Sequence, residues 1–489
     1  MKPIHCIKKS SNLHFVRRVR STVKKIIKGG RVATAADVFE ADILIDNGKI
    51  IQIGQHLADE GAEIIDATGK IVLPGGIDPH THLDMPFNNT VTDDDWKSGT
   101  IAAAFGGTTT ILDFCLTAGE EKLSAAVEKW HDKAKGKSAI DYGFHLMIGD
   151  LTPETEAELP QLLEQEGITS VKVFMAYAKE FQATDRTLFK AFKIAKDLGA
   201  VVMVHCENGS VIDELVEEAR RAGHKEPIYH ALTRPAELEG EATKRAIELA
   251  HIAGAKLYVV HVTCKEAVDE IIAAREKGYD VYGETCPPYL TLDQSALAQP
   301  GFEGAKYVWS PPLRPKYHQE HLWNALKAKQ LQTIGSDQCS FSFKGKKQLG
   351  LNDFSKIPNG GPFIEDRFSI LYSEGVAKGR ITIHEFVDMI STSAAKIFGL
   401  FPQKGTIAIG SDADIVIFDP EAKRQISAKT HHMNVDYNPY EGWDVTGEPV
   451  SVLVRGEYVI KNKEFVGVLG SGQYIKRPLK TVAPEALNI

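Results

Sequence analysis

The sequence predicts an α/β protein: a (β/α)8 barrel of the TIM type with a small β-sandwich domain built from the N- and C-terminal segments. Three observations support this prediction. Short β segments crowd residues 23–73, apolar strand runs alternate with amphipathic helical segments over residues 74–400, and β texture returns over residues 401–470. A barrel of eight strand–helix units takes about 250 residues or more, which the central segment can supply.

The first β segment predicts a small antiparallel unit. Asn47-Gly48 is its strongest hairpin signal, because both residues tolerate the positive φ angles of a tight turn. The predicted strands are residues 25–27, 41–45, 49–53 and 71–73.

The central segment contains eight apolar runs that predict the barrel strands. Unbroken apolar runs indicate burial on both faces, as in a parallel sheet. An open doubly wound sheet is the main alternative, but no G-x-G-x-x-G phosphate loop follows a predicted strand. The predicted strands are residues 77–80, 108–113, 142–148, 170–175, 201–205, 257–262, 281–284 and 333–335. Helical patterns between them include residues 120–135, 187–198, 239–252 and 264–277.

The C-terminal part begins with a helical pattern at residues 383–398 and ends in a predicted tail at residues 471–489. Gly456-Glu457 predicts a turn before the last strand. The predicted strands are residues 415–418, 450–454 and 458–460.

Composition and charge exclude several classes of protein. The 489 residues carry 57 Lys and Arg against 65 Asp and Glu, whereas a non-specific nucleic-acid binder needs a large cationic excess. No apolar stretch approaches the roughly 18 residues of a membrane span. Six widely spaced cysteines without a C-x-x-C pair predict neither a zinc ribbon nor a disulfide scaffold, and a cytoplasmic location is expected.

Residues 1–22 contain basic residues, no acidic ones and no clear period. A disordered extension is expected there. A transit peptide is the alternative, because such leaders are also basic and poor in acidic residues.

Polar side chains lie at or near the ends of five of the predicted barrel strands. The C-terminal ends of barrel strands meet at one mouth, where the active sites of such barrels form. We therefore expect six residues to converge there: His80, His82, Lys172, His205, His261 and Asp337.

These residue types suit a metal centre. On an extended segment, the side chains of His80 and His82 face the same side, and two imidazoles are the minimal chelate for a borderline divalent ion. His205 and His261 each follow an apolar run. Asp337 could act both as a ligand and as a general base beside a metal-bound water.

Lys172 lies inside an apolar strand, where a lone ammonium is costly. Two interpretations are open: an ion pair with a carboxylate, or carbamylation by CO2, which would create an anion able to bridge two metals. The histidines and the aspartate expected at the same rim favour the carbamate. 

Other candidate residues receive no chemical role. Cys339 has no base paired with it in the sequence and is interpreted as part of the pocket wall. His145 is interpreted as structural, and His431 and His432 lie in an irregular stretch.

This combination resembles the dihydropyrimidinase and D-hydantoinase family of cyclic amidases, within the amidohydrolase superfamily. The resemblance extends from about residue 24 to about residue 460. The matching motifs are GGIDPHTHLDMPF at 75–87, VKVFMAY at 171–177, HCEN at 205–208, HVT at 261–263 and GSDQC at 335–339.

The resemblance implies a hydrolase that opens the ring amide of 5,6-dihydropyrimidines such as dihydrouracil, and of 5-substituted hydantoins, to N-carbamoyl amino acids. Two divalent ions, zinc or else manganese or cobalt, would share a bridging hydroxide as nucleophile. One ion would be held by His80, His82, N-carboxylated Lys172 and Asp337. The other would be held by the same lysine carbamate, His205 and His261.

The resemblance also implies how the substrate is bound. Tyr177 would donate its hydroxyl to the developing oxyanion, Asp337 would pass a proton to the leaving nitrogen, and main-chain groups at Ser310 and Asn359 would bind the ring amide. The pocket for the ring substituent would be formed by Met85, Phe87, Phe174 and Phe181. A homotetramer with a D preference is implied, with a small-molecule substrate and no nucleic-acid or membrane partner.

Three alternative functions fit the sequence less well. Dihydroorotases typically carry an Arg two residues after H-x-H, whereas Asp84 stands there and would repel a substrate carboxylate. Allantoinases share the metal site but usually follow H-x-H with an Asn-containing loop. Non-catalytic scaffold relatives have lost metal ligands, whereas all six ligand positions are intact here.

Overall fold

The computed structural model describes residues 23–87, 90–117, 122–178 and 180–479. The basic extension predicted at residues 1–22 lies outside the described residues, as does the end of the tail from residue 480 onward.

The N-terminal segment forms two sets of short strands. Asn47 and Gly48 have φ angles of 50° and 80°, which confirms the predicted hairpin turn. The strands are β1 (Lys25–Lys28), β2 (Arg31–Ala33), β3 (Val38–Glu40), β4 (Asp42–Asp46), β5 (Lys49–Gly54), β6 (Glu63–Asp66) and β7 (Ile71–Pro74). The expectation of a purely antiparallel unit is wrong: β6 pairs in parallel with β1, because the chain passes the β4–β5 hairpin and returns along the other edge of β1.

The central segment forms the predicted barrel. Its strands are β8 (Gly76–Thr81), then, after the short hairpin strands β9 (Pro86–Phe87) and β10 (Thr90–Val91), β11 (Thr108–Cys115), β12 (Asp141–Ile148), β13 (Ser170–Phe174), β14 (Val201–His205), β15 (Lys256–Val259), β16 (Val281–Thr285) and β17 (Thr333–Ile334). β8 and β11–β17 form an eight-stranded sheet of neighbouring parallel strands. Beyond the two end strands, the His82 N–H donates to the Gln338 carbonyl at 2.8 Å, which brings the sheet edges together.

Helices follow most barrel strands and cover the outside of the sheet. Thr152 and Thr184 cap two of them by accepting from backbone N–H groups, and Gly167 and Gly199 end the same two helices in the left-handed conformation. The helices are α1 (Ser98–Phe105), α2 (Leu123–Ala134), α3 (Pro153–Glu166), α4 (Asp185–Leu198), α5 (Gly209–Arg221), α6 (Ile228–Leu232), α7 (Ala236–Ala253), α8 (Lys265–Glu276), α9 (Pro287–Thr291), α10 (Tyr317–Lys327), α11 (Arg367–Leu371), α12 (Ile383–Val387) and α13 (Ser393–Ile397). The pattern predicted at residues 383–398 is helical from Ile383 to Ile397, with a π-helical turn at Asp388–Thr392, and Phe398 caps its end.

The β-rich domain contains strands from both parts of the chain, as predicted. The C-terminal strands are β18 (Ile415–Gln425), β19 (Asp444–Val454), β20 (Glu457–Lys461) and β21 (Glu464–Phe465). The sheet order is β21-β20-β19-β18-β7-β2-β3, so N-terminal β7 pairs with C-terminal β18. The turn before β20 lies at Arg455 and Gly456, with φ angles of 47° and 74°, one residue earlier than predicted. A tight hairpin needs positive φ at both positions, and Glu457 is already in the strand.

Residues 471–479, within the predicted tail, run along the barrel. The Ile475 N–H donates to the Tyr142 carbonyl at 2.8 Å, and Arg477 is buried. Among the described helices, none is both long and apolar enough to cross a membrane.

Candidate active site

The six predicted ligands line one cavity at the C-terminal mouth of the barrel, as the strand-end positions predict. The cavity encloses about 550 Å³, including the open solvent at its mouth. It also contains the other residues predicted to bind substrate: Met85, Phe87, Phe174, Tyr177, Phe181, Ser310 and Asn359.

His80, His82 and Asp337 form the first half of the cluster. The Nε2 atoms of His80 and His82 lie 3.2 and 3.3 Å from Oδ1 of Asp337. One potential ligand atom from each residue lies within 4.8 Å of the others, so all three can reach one ion. Burial raises the pKa of Asp337, but the adjacent imidazoles outweigh it and hold that pKa well below its usual range.

His205 and His261 form the second half. Nδ1 of His205 lies within hydrogen-bond distance, 2.9 Å, of Nε2 of His261, so the two rings meet in the lining of the cavity. The other ring nitrogen of His205 contacts Glu207 Oε2 at 2.8 Å, which orients this imidazole. Burial lowers the pKa of both histidines, which favours the neutral imidazole that ligates metals.

Lys172 lies in strand β13 and is fully buried. Its Nζ has no hydrogen-bond partner within the described part of the chain and stands 5.1 and 4.8 Å from the ring centroids of Phe114 and Phe174. Burial lowers the pKa of Lys172 to about 8. A carboxylate ion pair, one of the two interpretations of this lysine, is therefore not formed among the described residues. A neutral amine is the form that reacts with CO2.

The donor set fits divalent metal ions. Imidazole nitrogens and carboxylate oxygens are ligands of zinc and related ions. The unpartnered amine of Lys172 lies in the same buried cavity, where a negatively charged lysine carbamate between two cations would remove the cost of an unpaired ammonium.

Glu284, which the sequence reasoning overlooked, joins the two halves of the cluster. Its Oε1 lies 2.6 Å from His80 Nδ1 and accepts from the His261 N–H at 3.2 Å. Its Oε2 accepts from the Tyr258 hydroxyl at 2.9 Å. The sequence could have indicated this residue, because Glu284 ends the predicted seventh strand at the same edge of the sheet as the predicted ligands. Glu207, two residues after His205, was overlooked in the same way.

Tyr177 stands at the side of the cavity with its hydroxyl near Ser310 and Asn359. Burial and the nearby Glu207 carboxylate raise the pKa of Tyr177, so the hydroxyl keeps its proton and remains a donor. Tyr177, His261 and Asp337 have positive φ angles of 68°, 39° and 53°. Non-glycine residues in this region are strained, and such strain clusters at functional sites.

The apolar side of the cavity is aromatic. The Phe87 ring lies 6.0 Å from Phe181 and 5.8 Å from Tyr177, and Phe174 lies 5.5 Å from Phe181. Trp309, which the sequence reasoning did not single out, lines the same cavity, and Cys339 lies in its wall. Burial raises the pKa of Cys339, which makes its thiol a poor nucleophile.

The three other histidines considered from the sequence, His145, His431 and His432, do not line this cavity. His145 is buried, with its ring nitrogens against the Ser170 hydroxyl and the Pro79 carbonyl. His431 contacts the Val435 carbonyl and His432 contacts Glu365, which is consistent with structural roles.

Comparison with known proteins agrees with this geometry. The model of the amidohydrolase family matches residues 71–459. The chain is 67% identical over 453 residues to a D-hydantoinase of Geobacillus stearothermophilus, covering 93% of this chain and 96% of that protein. A crystal structure of a D-hydantoinase has a TM-score of 0.93 at 66% identity, covering 94% of this chain and 100% of that one. The dihydropyrimidinase of Brevibacillus agri NCHU1002 has a TM-score of 0.93 at 60% identity, with the same coverage.

A barrel of eight parallel strands with histidines, a lysine and an aspartate at its mouth defines a member of the amidohydrolase family, and the chain belongs to that family. Within it, the chain belongs to the group of D-hydantoinases and dihydropyrimidinases. The prediction of a hydrolase of this group is confirmed.

Proposed function

We propose that the protein is a metal-dependent cyclic amidase that hydrolyses the ring amide of 5,6-dihydropyrimidines such as dihydrouracil, and of 5-substituted hydantoins, to N-carbamoyl amino acids. The convergence of four histidines, a buried unpartnered lysine and an aspartate in one cavity carries this proposal. The similarity to D-hydantoinases and dihydropyrimidinases supports the substrate class.

The ligand set would hold two divalent ions, zinc or else manganese or cobalt. The first would be bound by His80, His82, N-carboxylated Lys172 and Asp337, and the second by the same lysine with His205 and His261. When bound, the ions would polarise the ring carbonyl and make hydroxide available at neutral pH. 

Replacing Lys172 tests this assignment. We expect Lys172→Ala to abolish both metal binding and hydrolysis, because the shared ligand is lost. Lys193→Ala on the exposed face of helix α4 is the matched control. Full metal content and activity in Lys172→Ala would rule out the shared lysine ligand.

Two protein side chains would take part in the reaction: Asp337 would transfer a proton, and Tyr177 would stabilise the developing negative charge. The Asp337 carboxylate lies in the cavity beside His80 and His82, where it could accept a proton and deliver it to the leaving ring nitrogen. The protonated Tyr177 hydroxyl would donate to the carbonyl oxygen as it becomes negative.

The rest of the cavity would hold and orient the ring. Main-chain groups at Ser310 and Asn359 would pair with the ring amide. The apolar side formed by Met85, Phe87, Phe174 and Phe181 would receive the substituent on the ring. The homotetramer and the D preference implied by the family resemblance stay predictions, which sedimentation and hydrolysis of single enantiomers would check.

Rates on four substrates with the same metal-loaded enzyme test the proposed function. We expect hydrolysis of dihydrouracil and of a 5-substituted hydantoin, and rates at least about tenfold lower with allantoin and dihydroorotate. Faster hydrolysis of allantoin would favour the allantoinase alternative. Absence of both bound metal and hydrolysis would favour a non-catalytic scaffold.

A further inference from the structure

Lys347 is a fully buried lysine to which the proposed mechanism gives no role. It begins the 3-10 turn Lys347–Gly350 and is 0% exposed. Among the described residues it forms no ion pair with a carboxylate, and the Phe341 ring centroid lies 5.9 Å from Nζ. Because burying a lone ammonium is costly, other contacts must stabilise it.

Three main-chain carbonyls supply those contacts. Nζ of Lys347 donates to the carbonyl oxygens of Val308 and Pro358 at 2.7 Å each and to that of Gly360 at 2.6 Å. An ammonium has three N–H donors, whereas a neutral amine has two. Burial lowers the pKa of Lys347 to about 7, but the three acceptors match the protonated form.

The three carbonyls belong to the two segments that face the ring amide in the proposed function. Val308 lies two residues before Ser310, and Pro358 and Gly360 flank Asn359. The Gly360 N–H also donates to the Val308 carbonyl at 3.1 Å, so the segments already touch next to the ammonium. Ser310 and Asn359 both line the active-site cavity.

The alternative that Gly360 alone sets this geometry is weaker. Its φ angle is 146°, and a Cβ there would overlap the Cys339 carbonyl, so the residue must be glycine. Glycine, however, permits many backbone conformations, so it does not by itself select this one. A second contact must therefore fix how the 308–310 and 358–360 segments are oriented. The Lys347 ammonium can do this, because it binds carbonyls of both segments.

We propose that Lys347 is a positioning residue for substrate recognition: its ammonium clamps the 308–310 and 358–360 segments together and so sets the spacing of the main-chain groups that bind the ring amide. The inference rests on the proposed function, because it assumes that Ser310 and Asn359 contact the substrate. Lys347 acts through the backbone and touches neither the substrate nor the metal ligands.

Steady-state kinetics of Lys347→Met test this role. Methionine retains most of the side-chain length and apolar character but donates no hydrogen bond. We expect KM for dihydrouracil and for a 5-substituted hydantoin to rise at least about tenfold while kcat changes less than about threefold, the pattern of lost uniform binding. Metal content should stay equal to that of the wild type. Lys344→Met, at an exposed neighbouring lysine, is the matched control and should leave both constants unchanged.

Lys347→Gln is the second variant, because its amide restores two donors and should recover part of the lost KM. A KM within twofold of the wild type in Lys347→Met, loss of metal from that variant, or failure of both variants to fold would each overturn the proposal. Measurements on the wild-type enzyme distinguish failure of this proposal from failure of the proposed function. If the metal-loaded wild type hydrolyses neither substrate, the proposed function is rejected, and the proposed role of Lys347 is rejected as well.

Discussion

Glu284 shows how one carboxylate can organise the proposed metal site without being one of its proposed ligands. It contacts the His80 ring and the His261 backbone, which belong to opposite halves of the cluster. A carboxylate at Nδ1 of His80 keeps the proton on that nitrogen, so the lone pair of Nε2 points towards Asp337 and the cavity. The tautomer of one proposed ligand and the backbone position of another thus depend on the same side chain.

Replacing this carboxylate should weaken metal binding. We expect Glu284→Gln to reduce metal affinity about 10- to 100-fold, because the neutral amide orients and polarises His80 less well. Titration of the metal-free protein with a competing chelator measures this affinity. Glu276→Gln, on the exposed side of helix α8, is the control. Unchanged affinity in Glu284→Gln would contradict the orienting role.

The Tyr177 hydroxyl should contribute to the chemical step. Tyr177→Phe removes one donor from the oxyanion, and we expect kcat to fall by about 10²–10³-fold with metal content unchanged. Tyr317→Phe, at an exposed tyrosine, serves for comparison. A decrease of less than about threefold would argue against the oxyanion role.

At the scale of elements, a network of ion pairs joins the β-rich domain to the end of the barrel that lies away from the active site. Lys404, which is almost fully buried, contacts Asp141 at 2.8 Å, Asp412 at 3.1 Å and Asp414 at 2.6 Å. Asp141 begins strand β12, whereas the active site lies at the other ends of the strands. In such barrels, this opposite face serves stability rather than chemistry.

Removing the cation of this network should destabilise the fold without changing the site. We expect Lys404→Met to lower the free energy of unfolding by about 3 kcal/mol, because Asp141, Asp412 and Asp414 lose the buried cation they share, although Asp141 keeps Arg455 and Asp412 keeps Lys49. Urea unfolding measures the change, with Lys423→Met on an exposed strand position as control. Metal content and KM of the folded variant should match the wild type. A loss of under about 1 kcal/mol would show that the network is not stabilising.

At the scale of the whole molecule, metal binding should couple the barrel strands. The proposed ligands come from five different strands or their C-terminal ends, so an ion bound there links distant parts of the sheet. A ligand that binds only the folded state raises stability. 

Chelation tests that coupling. Removing the metals should abolish hydrolysis and lower the thermal midpoint, and adding zinc, manganese or cobalt should restore both. Scanning calorimetry and activity before and after reloading measure the effect, with metal-saturated chelator as control. An unchanged thermal midpoint on full metal removal would contradict a structural contribution from the ions.

Much of this architecture is readable in the sequence because it depends on local pattern. The eight barrel strands are apolar runs, and residues such as His205 and His261 stand where those runs end, so the barrel order and the shared mouth follow. The Asn47-Gly48 hairpin is equally local. The parallel β1–β6 pairing was not readable, because it depends on where the chain returns after the hairpin.

The sequence by itself therefore determined the barrel, the two-ended β domain and the identity of the residues expected to cluster, since hydrophobic periodicity and strand ends are properties of neighbouring residues. Only the tertiary structure decided which atoms meet: the Glu284 carboxylate between His80 and His261, the unpartnered Lys172 amine, and the Lys347 ammonium on three carbonyls. Those contacts join segments that are far apart in the chain. Their distances depend on tertiary packing, which a pattern of neighbouring residues cannot predict.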